Sequence, residues 1–245
     1  MRDSDVIVVG GGTTGIAAAV AAARHGANVM LIEQLGFLGG NAAIVPAWLG
    51  FHSLDGELMV KGIPLEAVER LQREGGATDF HRDPICGSVV GVNTHWWKLV
   101  AAEMAVDAGV VVRLHSRVAA VERQDDGTLE VTAECRGVPQ AFTGKQLVDC
   151  TDTGEAARMA GAELTRGRDR DGSVQVASWS FAVNGVNVLE LIDYLLENPQ
   201  DARPFPDVEL YDWLARLRQA EVFVLGAFAS LVSRARAEGM ELPRD

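Results

Sequence analysis

Several features that mark non-globular or extracellular proteins are scarce in this chain of 245 residues. Only three cysteines occur, Cys86, Cys135 and Cys150. Their odd number and wide spacing argue against a disulfide framework, a zinc ribbon or a dithiol redox centre. Proline is also rare, at 8 residues, and the charged fraction is 23%. This composition excludes disorder, collagen and coiled coil and favours a packed globular domain in a reducing cytoplasm.

Basic residues and long apolar runs are lacking as well. Lysine and arginine total 22 against 34 acids, for a formal net charge of -12. Because such a field repels phosphate backbones and anionic lipids, neither a nucleic acid nor a membrane surface is an expected partner. The apolar stretch Ile16–Ala23 ends far below the roughly 20 residues that span a bilayer, and the N-terminus lacks a signal-peptide pattern. The sequence therefore predicts a soluble protein.

The N-terminal pattern is that of a βαβ unit. A β-branched run at Val6–Val9 predicts a parallel strand buried on both faces, and Ala-rich Thr14–His25 predicts a helix closed by Gly26. Asn28–Ile32 reads as a second buried strand. This order implies a right-handed crossover and a doubly wound sheet.

The remaining pattern predicts further helices and an antiparallel meander. Helices are expected at Leu65–Glu74, Trp96–Ala108, Val188–Glu197 and Val208–Glu238, the last broken near Gly226. Strands are expected at Val110–Leu114, Val118–Arg123, Leu129–Cys135, Ala141–Phe142, Gln146–Cys150 and Val174–Val183. Asp79–Gly87 is expected to be a loop.

The strongest local motif is a G-x-G-x-x-G between the first strand and the first helix. Gly10 permits the tight turn, Gly12 lets the backbone approach a pyrophosphate, and Gly15 lets the helix pack close to the strand. The amides of the first helical turn then face the phosphates.

An acid at the end of the second strand supports a nucleotide site. Glu33 follows Gly15 in the place where a carboxylate accepts hydrogen bonds from an adenosine ribose, and it disfavours the 2′-phosphate of NADP. The motif serves NAD and FAD alike. Gly39 and Gly40 indicate a main chain that runs close beside an extended dinucleotide, with Asn41 able to donate to a phosphate or to the flavin edge.

With these residues in view, the chain resembles the FAD-dependent oxidoreductases of the glutathione-reductase-like superfamily. More narrowly, it is similar to the bacterial flavoproteins related to the flavin subunits of fumarate reductase and heterodisulfide reductase. The resemblance lies in Asp5–Ala43, which reads DVIVVGGGTTGIAAAVAAARHGANVMLIEQLGFLGGNAA, and in Trp97–Gly161.

This resemblance implies an α/β fold, with a Rossmann-like FAD-binding domain of three-layer ββα character and a smaller substrate or cap domain. Residues 1–50 and 90–165 are expected to form the FAD-binding domain, and residues 51–89 and 166–245 the substrate or cap region. Family members usually continue past the point where this chain stops, so the resemblance also implies a fold that is incomplete at its C-terminus.

The resemblance further implies FAD as cofactor and a hydride transfer between the flavin N5 and a small organic substrate. The residues implied to bind FAD are Gly10, Gly12, Thr13, Thr14, Gly15, Glu33, Gln34, Gly39, Gly40, Asn41, Val118, Thr151 and Gly154. One departure from the family is Asp152, which stands where the family has a glycine beside the dinucleotide. Its carboxylate opposes the charge of a pyrophosphate.

Catalytic residues are not identified by the sequence. The residues with suitable chemistry are His52, His81, His95, Cys86, the pair Trp96–Trp97, and Arg166, Arg168 and Arg170, although a structural or surface role accounts for each of them. No metal-ligand motif is present.

Two alternatives remain at this point, an NAD-dependent dehydrogenase and a non-catalytic nucleotide-binding subunit or fragment of a split flavoenzyme. The apolar stretch Val222–Leu231 predicts a homo-oligomer or a partner chain that supplies the missing C-terminal part.

Overall fold

The computed structural model describes residues 4–83, 86–175, 183–202, 209–219 and 227–240. The chain divides into two compact units. Unit 1 comprises Met1–Trp48, Val60–Ala77 and Val92–Arg166, and unit 2 comprises Leu49–Met59, Thr78–Gly91 and Gly167–Asp245. Residues 60–77, which the sequence pattern groups with the cap region, lie in unit 1.

The elements follow one another along the chain with strands and helices interspersed. They are β1 (Ser4–Val9), α1 (Thr13–Arg24), β2 (Val29–Ile32), β3 (Ala47–Leu49), α2 (Ile63–Arg73), β4 (His81–Asp83), β5 (Gly87–Gly91), α3 (Thr94–Asp107), β6 (Val111–Arg113), β7 (Ser116–Arg123), β8 (Leu129–Cys135), β9 (Val138–Asp149), α4 (Glu155–Met159), α5 (Val188–Glu197), α6 (Leu210–Leu217) and α7 (Ala229–Ala237). Short 3-10 turns occupy Gly40–Ala43 and Pro199–Asp201.

A parallel sheet forms the centre of unit 1. Its strand order is β6–β2–β1–β9, and the register places Val9 beside both Ile32 and Asp149. The carboxyl ends of these three strands therefore meet at one edge of the sheet. The residues that follow them are Gly10, Glu33 and Cys150. The edge therefore brings together Gly10 and Glu33, which the sequence assigns to a nucleotide site, and Cys150, which directly precedes the assigned Thr151.

Strand β9 joins the parallel and the antiparallel parts of one six-stranded sheet, of order β6–β2–β1–β9–β8–β7. Its first half pairs antiparallel with β8, and its second half pairs parallel with β1. The sequence predicts two separate strands here, which is wrong, because Gly144 lies where the pairings meet and lets one continuous strand pass over Ile7. A Cβ on Gly144 would lie 2.7 Å from Cγ1 of Ile7.

Unit 1 has three layers, as the predicted α/β class with ββα character requires. Helices α1, α2 and α3 pack together, and their buried side chains include Ile16, Val68 and Met104. The antiparallel meander β7–β8–β9 packs on the parallel sheet, where β1 and β2 share one apolar cluster with it. The cluster contains Ile7, Val9, Met30, Ile32, Val118, Val121, Leu129, Val131, Ala133, Phe142 and Ala156.

The described residues of unit 2 include the short antiparallel pair β4–β5 and the helices α5, α6 and α7. Strand β4 pairs with β5, with His81 opposite Val89, so the predicted loop Asp79–Gly87 is wrong over His81–Asp83. The segment His81–Asp83 forms a strand because it pairs with β5. Its three residues are polar, so the sequence shows no pattern from which a strand could be predicted. An apolar cluster around Ile192 and Leu214 joins α5 to α6.

The C-terminal predictions are met in part. Helix α5 has the predicted bounds, and α6 and α7 lie within the predicted helix Val208–Glu238. Residues 176–182 and 220–226 fall outside the described residues, as do most of the predicted strand Val174–Val183 and half of the apolar stretch Val222–Leu231. Among the helices in the described ranges, none has the length and apolarity that crossing a bilayer requires.

Charged side chains connect helices α1, α2 and α3 of unit 1. Arg24 on α1 donates two hydrogen bonds to Glu66 on α2, at 2.7 and 2.8 Å. Arg70 pairs with Glu66 and also with Asp107 on α3, at 2.6 Å. The hydrogen bonds from Arg24 hold the pKa of Glu66 below its ordinary value.

Replacing Glu66 with glutamine should make stability depend less on pH. A depressed pKa means that the carboxylate stabilises the fold fully above the ordinary glutamate pKa of about 4.3, and that this contribution disappears as the pH falls through the folded-state pKa. We expect Glu66→Gln to cost about 1 kcal/mol at neutral pH and almost nothing in acid, measured by urea unfolding.

Glu69→Gln on the same helix is the matched control, since Glu69 is exposed and no ion pair to it is present in the described residues. An equal loss for Glu66→Gln at both pH values would contradict the ion-pair account.

Candidate nucleotide site

A cavity of about 440 Å³ opens at the carboxyl edge of the parallel sheet in unit 1, within the range of small-molecule sites. Its wall is built from the residues after β1, β2 and β9, from the start of α1 and from the start of β7. The wall consists of Val9, Gly10, Gly12, Thr13, Thr14, Ile32, Glu33, Gln34, Leu35, Gly40, Asn41, Ile44, Ser116, Arg117, Val118, Cys150, Thr151, Asp152, Thr153, Glu155, Ala156 and Met159.

Two glycines of the motif let α1 start directly after β1. Gly10 has a φ of 98°, and a Cβ there would lie 2.5 Å from the carbonyl oxygen of Cys150. A Cβ on Gly15 would lie only 1.7 Å from the carbonyl oxygen of Gly10. Any side chain at either position would therefore push the helix or the neighbouring strand away.

Gly12 has a different environment, because it faces open space. A Cβ there would meet no atom of the protein within 4 Å. Gly12 is the N-cap of α1, no side chain of the described residues caps the first turn, and that turn contains no acid. The amides and the positive end of the helix dipole are thus presented to the cavity, which is an arrangement that binds anions.

Glu33 is buried and firmly oriented. Its Oε2 accepts the N–H of Gly11 and its Oε1 accepts the N–H of Leu35, both at 2.6 Å. A carboxylate has about four acceptor positions, so two remain for a ligand. These bonds fix a hydrogen-bond acceptor in the wall at the place where a ribose is expected.

The edge of β7 forms the next part of the wall. The N–H of Ser116 donates to the carbonyl oxygen of Glu33, away from β8. Val118 also lines the cavity, and the register of β7 with β8 shifts between Val118 and Ala120. Arg117, between Ser116 and Val118, is exposed, and no other basic residue lines the cavity among the residues that the structure describes.

The Gly39–Gly40 turn lies against the first glycine loop. Gly39 has a φ of 117° and donates its N–H to the carbonyl oxygen of Gly11 at 2.8 Å. A Cβ on Gly40 would lie 2.9 Å from Cα of Gly12. The two glycine segments are therefore in backbone contact, and the exposed Asn41 follows them in the wall.

The loop after β9 is held by its own side chains. Asp149 accepts the N–H groups of Thr151 and Ala157, at 2.8 and 2.7 Å, and the Thr151 hydroxyl oxygen accepts the N–H of Glu155. Asp152, which is exposed, also lies in the wall. Burial, aided by Asp149, raises the pKa of Cys150, so this thiol stays protonated.

The structure brings most of the predicted binding residues together. All of them belong to the wall except Gly15 and Gly39, which support it through the backbone contacts described above, and Gly154, which begins α4. Twelve wall residues were not among the predicted binding residues: Val9, Ile32, Leu35, Ile44, Ser116, Arg117, Cys150, Asp152, Thr153, Glu155, Ala156 and Met159. Most of them lie next to predicted residues along the chain, as Leu35 does to Gln34 and Arg117 to Val118, whereas Ile44 and Met159 are several residues from any predicted position.

The candidates for catalysis lie elsewhere. His95 is exposed at the start of α3 and is not part of the wall, while His52, His81 and Cys86 belong to unit 2. The ring Nδ1 of His52 is 3.1 Å from the Ser88 hydroxyl oxygen. Burial and the nearby Asp83 raise the pKa of Cys86, which disfavours a reactive thiolate.

The arginine segment is engaged locally. Arg168 donates two hydrogen bonds to Asp171, and Arg170 approaches the same carboxylate. Both arginines are exposed, so a solvated turn accounts for them. Across the described residues, no cluster of histidine, cysteine and acidic side chains has the composition of a metal site.

A parallel sheet with a glycine-rich loop, an uncapped helix start and an acid on the next strand defines a dinucleotide-binding protein. A family model described as FAD dependent oxidoreductase matches residues 5–235. This chain therefore belongs to the FAD-dependent oxidoreductases, a family of enzymes. The family match supports FAD over the NAD alternative, and the resemblance noted in the sequence is confirmed.

Individual relatives are more distant. Urocanate reductase from Eggerthella lenta is 52% identical over 42 residues, which are 17% of this chain and 7% of that protein. A geranylgeranyl bacteriochlorophyll reductase-like protein from Thermoplasma acidophilum has 22% identity and a TM-score of 0.49, covering 66% of this chain and 43% of that chain. L-alpha-glycerophosphate oxidase from Mycoplasma pneumoniae has 16% identity and a TM-score of 0.45, covering 66% and 58%. This chain spans less than two thirds of each.

Alanine at Gly12 and at Gly15 should affect stability very differently. Gly15→Ala forces a Cβ onto the Gly10 carbonyl, so we expect a loss of about 3 kcal/mol or more in the free energy of unfolding. Gly12→Ala meets no protein atom, and the weaker N-capping by alanine should cost at most about 1 kcal/mol. Urea denaturation of both variants without cofactor measures the difference, and equal losses would show that the first helix does not approach β1 as described.

Proposed function

We propose that this chain binds FAD in the cavity of unit 1 and acts as an oxidoreductase on a small organic substrate, with hydride transfer as the redox step. The observation that carries the proposal is the open space at Gly12. It lies at the uncapped start of α1, next to an acid held by two backbone N–H groups, in a chain of the FAD family.

The chemistry of the wall fits the parts of the cofactor in turn. The diphosphate would lie at the first turn of α1, where Gly12, Thr13 and Thr14 present amides and no acid. A ribose would donate its hydroxyls to the free acceptor positions of Glu33. The adenine would lie along the edge of β7, where the backbone N–H and C=O of Val118 can pair with it.

The other wall segments would accompany the rest of the dinucleotide. Gly40 and Asn41 lie beside Gly12, and the loop at Thr151 follows the adjacent strand. When bound, FAD supplies the hydride-accepting and hydride-donating chemistry. The residues of this chain contribute binding and orientation, and no residue of the wall is assigned a proton-transfer role.

Asp152 supports a second candidate, a nucleotide-binding chain that holds FAD weakly or works only with a partner. Its carboxylate stands in the wall of a cavity that would receive an anionic diphosphate, and Glu155 adds another negative charge. We also propose that the chain associates with a second copy of itself or with a partner chain. A cytoplasmic location is proposed as well, because the three cysteines are unpaired.

Gly12→Ala is the direct test of FAD binding. A methyl group would occupy space intended for the diphosphate, so we expect FAD affinity to fall by about tenfold or more while the fold remains intact. Affinity is measured by quenching of flavin fluorescence on titration of the apoprotein. Glu69→Gln, an exposed position on α2 outside the cavity wall, is the control and should leave FAD affinity unchanged. Absence of flavin binding by the unmodified chain would overturn the proposed function.

Removing the charge of Asp152 should tighten binding. Asp152→Asn deletes the repulsion but keeps the size of the side chain, whereas Asp152→Gly also removes the bulk. We expect FAD affinity to rise about fivefold in Asp152→Asn and further in Asp152→Gly, in line with about 1 kcal/mol between solvated charges at short range. The gain should shrink at high salt. Unchanged or weaker binding in both variants would place this side chain away from the diphosphate.

A further inference from the structure

The indole of Trp97 makes a specific contact with the glycine turn. Trp97 is 3% exposed, and its Nε1–H donates to the carbonyl oxygen of Gly39 at 3.3 Å. A Cβ on Gly39 would lie 2.5 Å from Nε1 and 2.9 Å from Cδ1 of the indole. The ring thus lies directly against the backbone of the turn, and the indole N–H, its single polar group, is hydrogen-bonded to the Gly39 carbonyl.

The contact continues from the turn to the cavity wall. The N–H of Gly39 donates a hydrogen bond to the carbonyl oxygen of Gly11, and Gly40 lies against Cα of Gly12. A displacement of the turn would therefore move the backbone beside Gly12, where the open space lies. Trp97 itself is not part of the wall, so any effect on a ligand must act through the turn.

The indole is well placed to hold the turn because its own position is fixed. Asn93 is the N-cap of helix α3, and its side chain accepts the N–H groups of His95 and Trp96. The ring of Trp48 packs edge-on against Trp97, with centroids 4.8 Å apart and an interplanar angle of 86°. Aromatic pairs prefer this geometry.

From these contacts we propose that Trp97 is a positioning residue of the FAD site, which holds the Gly39–Gly40 turn at the distance from Gly12 that the cofactor requires. The inference rests on the FAD site proposed above. The inference gives this role to Trp97 and not to its neighbour Trp96. Trp96 packs against Gly76 instead, because a Cβ on Gly76 would lie 2.8 Å from Cβ of Trp96. Burial alone would explain a tryptophan at 97, but it does not require a hydrogen bond to the turn.

The test compares Trp97→Phe with Trp96→Phe, each in the full chain. Loss of one neutral hydrogen bond corresponds to about a fivefold to tenfold change in an equilibrium constant. We expect Trp97→Phe to weaken FAD binding by that factor and to speed exchange of the Gly39 amide similarly in the apoprotein. Trp96→Phe should leave both quantities within about twofold, even where both variants lower the unfolding temperature equally.

A second replacement isolates the N–H group from the bulk of the ring. Benzothienylalanine, in which sulfur replaces the indole N–H, is introduced at position 97 alone and keeps the shape of tryptophan. It should reproduce the loss of FAD affinity and of Gly39 protection. This variant also serves if Trp97→Phe does not fold.

The two proposals fail in different ways. If the unmodified chain binds FAD and the position-97 variants bind it as tightly as Trp96→Phe, with unchanged Gly39 exchange, Trp97 is only a core residue. If the unmodified chain binds no FAD, the proposed function fails, while Gly39 exchange in the apoprotein still decides whether Trp97 holds the turn.

Discussion

The close approach of α1 to β1 is the constraint on which the site depends. Because Gly15 lies against the Gly10 carbonyl, the helix starts within three residues of the strand end and its first amides open onto the sheet edge. A longer connection would turn these amides toward solvent. The parallel register then brings the ends of β2 and β9 to the same edge, so that one helix start, one acid and one loop share a cavity.

Hydrogen bonds from backbone N–H groups, accepted partly by carbonyl oxygens and partly by carboxylate side chains, hold this edge together. Glu33 joins the first glycine loop to the segment after β2, the carbonyl of Glu33 joins β2 to β7, and Gly39 joins the second glycine turn to the first. Glycine recurs at these points since any Cβ would separate the segments. At Gly12, by contrast, the protein leaves open space. Groups that are already held in place before binding lower the cost of ordering a ligand.

Much of this arrangement could be predicted from the sequence. The βαβ unit, the glycine motif, Glu33 and the class of fold are encoded in local patterns, since a buried parallel strand, an Ala-rich helix and a glycine turn each have a distinctive composition. The bounds of α5 were also given by its amphipathic pattern. Errors fell where pairing partners decided the structure. Polar His81–Asp83 became a strand through β5, and β9 remained continuous because Gly144 passes over Ile7.

Sequence by itself determined that a glycine loop follows the first strand and an acid follows the second, because both features depend on residues near one another along the chain. Only the tertiary structure decided which residues complete the site. Arg117 and Ile44 reach the wall from separate segments, and Trp97 comes to lie against Gly39 from a helix 58 residues away. Such contacts depend on the packing of α3 and the meander against the sheet, and packing between distant segments leaves no periodic signal in the residues that take part.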